Sequence, residues 1–238
     1  MANFPFQRLQ VDLAALISRS PAGQRLPSEP DLAKQLGVSR ATLREAMRSF
    51  ETQGLIRRRQ GSGTFVVGKT QVMDSGLEVL QSLETIAKRL GLEVSVSDLS
   101  IEATVADEEL AKMLDVPVGE NLTLVRRVVH ADDRPVAYLV DILPGTIMRS
   151  KDLPADFNGS VLDFLLGRGD ALKTSRANVT AIGATAEVAK ALEIQRGDVL
   201  LHFHSQLFDD RGKAVDYSLS YFIPGYFHFH VVRRVGTV

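Results

Sequence analysis

The sequence predicts an α+β protein with two domains, a helical first domain that ends in a small hairpin and a second domain built on an antiparallel sheet with helices. Three observations lead to this prediction. Residues 1–69 hold 11 of the 28 basic and 5 of the 29 acidic side chains, so this segment has a net charge of +6 and the remainder −7. Apolar residues recur at helical spacing in the first 50 residues. A diverged repeat, offset by 78 residues, fills most of the remainder.

The composition limits the class of protein. The hydrophobic content of 45% is enough for two cores in a chain of 238 residues. Because the chain contains no cysteine, disulfides and thiolate metal sites are excluded. No apolar run is long enough to span a bilayer, and the start MANFPFQRLQ lacks the basic and apolar parts of a signal peptide. We therefore expect a soluble, cytoplasmic protein with no membrane partner.

Residues 1–68 are predicted to form the first domain, with three helices and a two-stranded wing. The first helix covers Phe6 to Ile17, where leucines repeat at helical spacing. Ser28 caps the second helix, with Asp31 three residues on in the manner of a capping box, and Ser39 caps the third. Two short strands flank a glycine-rich tip: residues 55–59, Gly61-Ser62-Gly63 and residues 64–67. This order is that of a winged helix-turn-helix, which places its third helix in the major groove of DNA.

The predicted contacts with double-stranded DNA lie on the third helix, at two helix N-termini and at the wing. Arginine makes bidentate contacts with guanine and also binds phosphate, and free amides at a helix N-terminus suit a phosphate. The predicted DNA-binding residues are Ser28, Ser39, Arg40, Thr42, Arg44, Arg48, Gln60, Gly61 and Gly63. The alternative is that the arginines form a solvated helix face. The three arginines share that face with a wing in a basic segment, which favours DNA for the set, whereas for Arg48 alone both interpretations stay open.

A polar segment, residues 69–80, is predicted to link the domains, and residues 81–238 to form the second domain. The apolar spacing predicts a helix from Leu77 to Leu90. The repeat follows, with copies that start at Ala103 and Gly183. Each copy predicts a short helix, a glycine turn, a strand, an Asp-rich hairpin turn and another strand. Two such units are expected to pair into one antiparallel sheet with helices on one side.

The first domain resembles the GntR family of bacterial transcription regulators, with a match that covers nearly all of residues 5–68. The matching residues are Leu26-Pro27-Ser28-Glu29, Leu32-Ala33, Leu36-Gly37-Val38-Ser39-Arg40, Thr42, Arg44-Glu45-Ala46, Gly54-Leu55-Ile56 and residues 60–66. The resemblance implies that Arg40, Thr42 and Arg44 contact bases or adjacent phosphates, with Gly61 at the wing. Pro30 stands where many members have an arginine. The preferred operator is therefore expected to differ from the common family sequence.

The second domain resembles the UTRA effector domain, of chorismate-lyase-like fold, found in the HutC subfamily of these regulators. The resemblance runs from about Leu83 to Arg234. It rests on Ala106-Asp107, Leu114, Arg127, Ala131-Asp132, Pro135-Val136-Ala137, Ser160, residues 186–192, Gly197-Asp198, Leu200-Leu201, Gly212 and Val215-Asp216-Tyr217. It implies a homodimer in which a small metabolite changes the placement of two DNA-binding heads. The function implied is a transcription regulator, a repressor released by its effector.

The same resemblance implies five effector-binding residues: Ser82, Arg127, Ser160, Asp216 and Tyr221. Three departures make the expected pocket less polar than in sugar-phosphate sensors: Val129 for an arginine, Leu139 for a glutamate and Ile142 for a tyrosine. The predicted effector is an organic acid with its carboxylate on Arg127. Alternatives stay open for four of these positions, since Arg127 also suits a structural salt bridge, Ser160 a helix cap, and Asp216 and Tyr221 a strand that exposes them or buries them in the core.

Two other functions deserve comparison with the regulator. An enzyme is suggested by the lyase-like fold, but no nucleophile, acid-base pair or metal set forms a recognisable motif, so no catalytic residue and no cofactor is predicted. An architectural protein would bind DNA without sequence preference, which the acidic second domain and the base-reading helix disfavour. His202, His204, His228 and His230 form alternate-residue pairs that suit a metal. They lack a completing ligand, so packing on strands is the favoured interpretation.

Overall fold

The computed structural model describes residues 5–21, 23–52, 54–59, 62–67, 72–154, 157 and 159–233. They divide into two compact units. The first comprises residues up to Val72 together with Pro224–His228, and the second comprises Met73–Ile223 together with the chain from Phe229.

The first unit has the predicted order of three helices and a hairpin. Its elements are α1 (Pro5–Arg19), α2 (Glu29–Gln35), α3 (Arg40–Thr52), β1 (Ile56–Arg59) and β2 (Gly63–Val66). Leucines of α1, α2 and α3 meet in one core with Ile56 and Val66, which also face each other across the hairpin. The apolar stripes predicted from helical spacing therefore form the core of a winged helix-turn-helix.

A glycine and a serine form the turn between α2 and α3, and a second serine caps the start of α2. Gly37 has a φ of +67°, a left-handed conformation that side chains other than glycine rarely adopt. Ser28 caps α2 by accepting a hydrogen bond from the Asp31 amide, and Ser39 caps α3 by accepting one from the Thr42 amide. Both predicted caps are confirmed, Ser28 at the start of α2 and Ser39 at the start of α3.

The second unit is built on a six-stranded antiparallel sheet. The elements after Val72 in chain order are β3 (Met73–Gly76), α4 (Leu83–Leu90), β4 (Val94–Val105), α5 (Glu108–Leu114), β5 (Asn121–Ala131), β6 (Arg134–Pro144), a 3-10 turn (Ser150–Asp152), α6 (Val161–Arg168), β7 (Leu172–Gly183), α7 (Ala186–Ala191), β8 (Val199–Asp209), β9 (Ala214–Phe222) and β10 (Phe227–His230). The first two residues of β10 are grouped with the first unit. The strand order is β4-β5-β6-β9-β8-β7. The carbonyl of His230 accepts a hydrogen bond from the Leu77 amide, next to β3.

The predicted internal repeat is confirmed as a repeat of structure. The units β4-α5-β5-β6 and β7-α7-β8-β9 share one order, and they meet in the middle of the sheet where β6 pairs with β9. Both hairpin turns use residues that tolerate a positive φ, at Asp132 (51°), Asp133 (59°) and Gly212 (79°). The copies pair into one antiparallel sheet as expected, and their helices α5 and α7 lie on one side of it, but α6 lies on the other side, where no helix was expected.

The structure differs from the sequence prediction between residues 73 and 83. The helix predicted from Leu77 starts only at Leu83, because the Ser82 hydroxyl accepts a hydrogen bond from the Thr85 amide and ends the irregular segment. Leu77, Val79 and Leu80 are exposed and do not form a helical stripe. The predicted linker, residues 69–80, contains β3.

The two faces of the sheet carry different helices. On one face, the Tyr138 hydroxyl donates to Glu187 of α7 and the Gln206 amide donates to the Met113 carbonyl of α5. On the other face, α6 packs through Val161 and Leu165 against sheet residues that include Val125 and Leu207. None of the described helices has the length and apolar character needed to cross a lipid bilayer.

Candidate DNA-binding surface and effector cavity

The first turns of α3 present the side chains predicted to contact DNA. Arg40 and Arg44 are exposed, and Thr42 between them is half-buried. The Thr42 and Ser39 hydroxyls lie 2.8 Å apart, and Ser39 also caps the helix. The start of α3 thus holds two basic side chains and two hydroxyls at one accessible helix end, a combination that suits phosphate and base edges.

Glu29 orients two of the arginines near this surface. The Arg44 Nε donates to Glu29 Oε2 across 2.6 Å, and the Arg44 side chain is still 57% exposed. Arg58 Nη1 lies 3.9 Å from Glu29 Oε1, and Arg58 Nε lies 3.4 Å from Glu51 Oε2. Glu29 was not among the predicted site residues, although it stands in the matched Leu-Pro-Ser-Glu run.

The other predicted DNA-binding residues occupy less exposed or more constrained positions. Arg48 is 33% exposed, and its Nη1 lies 3.6 Å from Glu45 Oε2. Gly63 has a φ of +113°, and a Cβ at this position would lie 2.6 Å from Arg25 Nε. Gln60 and Gly61 lie outside the described residues. Ser28 is exposed at the start of α2, where its hydroxyl hydrogen bonds with Asp31.

A cavity of about 650 Å³ opens on the sheet face of the second unit that α6 covers. Four of the five residues predicted to bind the effector line it: Ser82, Arg127, Ser160 and Asp216. Apolar walls come from the irregular segment before α4, from α6 and from the sheet: Leu77, Leu80, Leu139, Leu162, Leu166, Phe203, Phe222 and Phe229. The size and the mixed lining are typical of a site for one small molecule.

Arg127 is buried at this cavity and is already paired. Its Nη1 donates to Asp141 Oδ2 across 2.5 Å, and its Nε lies 3.9 Å from Glu84 Oε1. The Arg127 side chain is only 6% exposed. Asp141 lines the cavity and was not among the predicted residues, nor was Glu84 in the first turn of α4.

Asp216 is the second buried charge-bearing group of the cavity lining. Burial raises the pKa of its carboxyl well above the ordinary value of 3.8, and the nearby Asp141 raises it further, while a hydrogen bond from the Ile142 backbone and the charge of Arg127 act in the opposite direction. Its Oδ1 is buried and accepts no hydrogen bond from any residue that the structure describes. An unpaired oxygen in such a position is costly, and a ligand is one way to satisfy it.

Two of the serines that line the cavity, Ser82 and Ser160, act as helix caps. Ser82 caps α4 and donates to Asp163 Oδ2 across 2.6 Å, and Ser160 caps α6 by accepting from the Asp163 amide at 3.1 Å. Both serines are buried. The cap role considered for Ser160 is therefore observed together with a place in the cavity lining, and Asp163 joins the two helix starts.

Tyr221 lies on the other face of the sheet and does not line the cavity. Its ring stacks on His202 at a centroid distance of 4.6 Å and on Tyr138 at 5.9 Å, beside α7. Asp216 and Tyr221 are an odd number of residues apart on a regular part of β9, so their side chains point to opposite faces. His202 and His204 also pack on this face, where His204 hydrogen bonds with the Tyr217 hydroxyl.

Comparison with known proteins matches both units. A family model described as the UTRA domain matches residues 89–228, and one for bacterial regulatory proteins of the gntR family matches residues 7–66. The HTH-type transcriptional repressor NagR of Bacillus subtilis (strain 168) is 29% identical over 214 residues, 89% of this chain and 86% of that protein. The Histidine utilization repressor of Pseudomonas putida is 28% identical over 191 residues, 80% and 76% of the two chains.

A solved structure shares the fold. The crystal structure of PhnF from Mycobacterium smegmatis matches with a TM-score of 0.66 at 23% identity, and the match covers 96% of this chain and 100% of that chain. The likeness extends over both units of the chain.

Proposed function

Because this chain belongs to the GntR family of bacterial regulatory proteins and carries a UTRA domain, we propose that it is a repressor whose operator affinity is set by a small molecule in the cavity beside Arg127. The chain is a DNA-binding transcription regulator and not an enzyme. The proposal that a small molecule controls operator affinity rests on one observation. The chain holds Arg44 exposed on α3 and Arg127 buried in a cavity of another unit.

The DNA-binding part of the proposal assigns roles to residues of α3. Arg40 and Arg44 are accessible and basic, and the short distance to Glu29 limits the rotamers of Arg44. A restrained guanidinium loses less conformational entropy when it binds a base edge. We assign Arg44 to base contact, Arg40 and Thr42 to bases or adjacent phosphates, and the serine-capped helix starts to phosphate.

The effector part assigns the cavity of the second unit to one small molecule. Ser82, Arg127, Ser160 and Asp216 are four of its polar groups, and Asp141 is another. The sequence favoured an organic acid with its carboxylate on Arg127. That carboxylate would compete with Asp141, whose Oδ2 already accepts a hydrogen bond from Arg127 at 2.5 Å.

The mechanism we propose needs two copies of the chain. A homodimer presents two α3 helices to the half-sites of a pseudo-palindromic operator in the cytoplasm. The effector stabilises an arrangement of the two α3 helices that no longer matches the half-site spacing. By linkage, operator DNA must weaken effector binding by the same factor by which effector weakens operator binding.

Footprinting on the DNA that flanks the gene tests this function directly. A regulator protects a defined, two-fold symmetric site, whereas an architectural protein would protect none. A thermal-shift screen of metabolites then supplies ligands, and each one that binds is added to the operator complex. If every ligand that saturates the second unit leaves operator affinity unchanged, the proposed regulation is excluded.

A further inference from the structure

The buried end of the cavity holds more carboxylates than cations. Arg127 is the one basic side chain among the buried described residues of the lining, which also holds Asp141 and Asp216, and Glu84 of α4 approaches Arg127 without being part of the lining. Asp141 hydrogen bonds with Arg127, and Glu84 lies 3.9 Å from it. One guanidinium balances one carboxylate, so no buried cation of the described lining balances the second carboxylate when Asp216 is ionised.

One oxygen of Asp216 and both oxygens of Glu84 lack donors in the described ranges of the chain, although backbone amides of Ile142 and Tyr217 hydrogen bond with the Asp216 carboxyl. Asp216 is 5% exposed, and its Oδ1 accepts no hydrogen bond within the described part of the chain. Both carboxylate oxygens of Glu84 are also buried without a hydrogen bond there. Buried carboxylates are retained in proteins when a donor or cation satisfies them in the functional state.

The other charged side chains near the cavity do not change the balance between carboxylates and Arg127 at its buried end. Glu78 and Lys173 line the cavity as exposed side chains of opposite charge, where solvent screens them. Asp163 accepts from the hydroxyls of Ser82 and Thr85 and is therefore satisfied. Arg127 Nε makes no hydrogen bond among the described residues, but Glu84 Oε1 faces it at 3.9 Å.

We propose that the effector carries an amine or another cationic group that binds Asp216, attached to an apolar body that packs on Leu139, Phe203 and Phe222. The inference rests on the proposed function, since it names the chemical class of the ligand that the regulator detects. A cation fills the missing donor position at Asp216 and balances the excess of carboxylates. An anion in the same place would meet Asp141 and Asp216 at close range and would have to displace Asp141 from Arg127.

The test compares ligands that share one carbon skeleton and differ in charge. The probes are 4-phenylbutylamine, 4-phenylbutanol and 4-phenylbutyrate, with the corresponding straight-chain amines, alcohols and carboxylates. Binding to the full-length protein is measured by thermal shift and titration calorimetry. We expect the ammonium member of a matched set to bind at least about tenfold more tightly than the carboxylate member. A set in which the carboxylate binds more tightly, or no binding by any amine, overturns the proposal.

Two variants and a control test which carboxylate recognises the charge of the ligand. Asp216→Asn keeps the shape of the buried side chain and should abolish the preference for the amine. Asp141→Asn removes the carboxylate that competes for Arg127 and should shift the preference toward the carboxylate probe. Asp210→Asn removes an exposed carboxylate in the β8–β9 turn and should keep the preference of the parent chain. An unchanged preference in Asp216→Asn contradicts the assignment.

The pH dependence of the parent chain provides a test that does not depend on a variant. Burial and Asp141 raise the pKa of Asp216, so the carboxyl must lose a proton before it can pair with a cation. Affinity for the amine should rise with pH over the range in which Asp216 ionises, while affinity for the alcohol should stay constant. A flat profile for the amine overturns the inference.

The test of the ligand class and the test of the proposed function can fail independently of each other. If a carboxylate ligand binds in the cavity and releases the operator, the chain is still an effector-controlled regulator and only the ligand class is rejected. If amines bind through Asp216 and operator affinity never changes, the ligand class stands and the regulatory function is rejected.

Discussion

The Nε atom of Arg44 donates a hydrogen bond to Oε2 of Glu29 across 2.6 Å, which connects the exposed face of α3 to the first turn of α2. Glu29 Oε1 also lies 3.9 Å from Arg58 Nη1, at the start of the wing. One carboxylate therefore lies against basic side chains from two elements. Such an arrangement lowers the number of rotamers that the arginines sample before they reach DNA.

Replacement of Arg44 with alanine should abolish specific operator binding. A guanidinium bidentate to guanine contributes about 1–3 kcal/mol of discrimination at each half-site, and a dimer loses it twice. Gel shift and footprinting on operator DNA measure the loss, and thermal unfolding checks that the second unit stays folded. Arg196→Ala, which removes the same charge from an exposed turn of that unit, is the control. Normal footprints from Arg44→Ala would remove Arg44 from base recognition.

Replacement of Glu29 with glutamine should separate specificity from affinity. The amide keeps the size of the side chain but loses the charge that holds Arg44 and Arg58. Affinity for random DNA should rise, because a negative charge is removed from a phosphate-binding surface. The ratio of operator to random affinity should fall, by about threefold to tenfold if one restrained contact per half-site is weakened.

The control for this prediction is Asp12→Asn, which removes an exposed negative charge from α1 in the same unit. Both variants change net charge equally, so both should show similar gains in binding to random DNA as salt is varied. Only Glu29→Gln should lower the specificity ratio. Equal ratios in the two variants would show that Glu29 acts through charge alone.

The sequence predicted the parts of the fold that depend on local patterns. Paired aspartates and a glycine fixed both hairpin turns, since these residues tolerate the positive φ that such turns need. The start of α4 was predicted too early because Leu77, Val79 and Leu80 are apolar. All three side chains line the cavity and are also exposed, so they form part of the cavity wall and not the buried face of a helix.

The candidate cavity was predicted less completely, and the reasons are physical. Two-residue periodicity along β9 already separates Asp216 from Tyr221, so the placement of Tyr221 on the other face was available from the sequence. The pairing of Arg127 with Asp141 was not, because the register shifts at a bulge between Val129 and His130. Glu84 comes from a helix outside the repeat, and only packing brings it near Arg127.

Replacing Arg127 alone should destabilise the second unit more than replacing both Arg127 and its partner Asp141. Arg127→Leu leaves Asp141 buried without its partner, and breaking a buried pair in this way costs about 3–5 kcal/mol. The double variant Arg127→Leu/Asp141→Leu should recover much of that loss, because no uncompensated charge from the pair remains. Urea unfolding of the three proteins gives the free energies. A double variant less stable than Arg127→Leu would contradict the pairing.

The Arg127→Leu variant should also change the regulation of operator binding. Arg127→Leu should lose its response to effector and keep operator binding, since the cavity belongs to the second unit and α3 to the first. The operator gel shift with and without ligand measures this response. A normal response would remove Arg127 from the effector site.

Stability should fall with rising pH because of Asp216. In the folded chain, burial and Asp141 hold the pKa of this carboxyl above its ordinary value of 3.8, so between the unfolded and folded pKa values the native state binds more protons than the unfolded state. The free energy of unfolding then decreases as pH rises through this window, with a slope of at most about 1.4 kcal/mol per pH unit for one proton. Above the folded pKa the loss is complete and constant.

Asp216→Asn isolates this contribution because asparagine does not titrate. Urea unfolding of both proteins at a series of pH values gives a difference curve, in which the variant gains stability over the parent as pH rises above 3.8. His202, whose pKa is lowered by burial and by His204, makes both proteins less stable as pH falls below 6.5, and it cancels in the difference. If the difference in unfolding free energy between the two proteins is the same at every pH, Asp216 has the same pKa in the folded protein as in the unfolded chain. A partner group then compensates for the burial of its carboxylate.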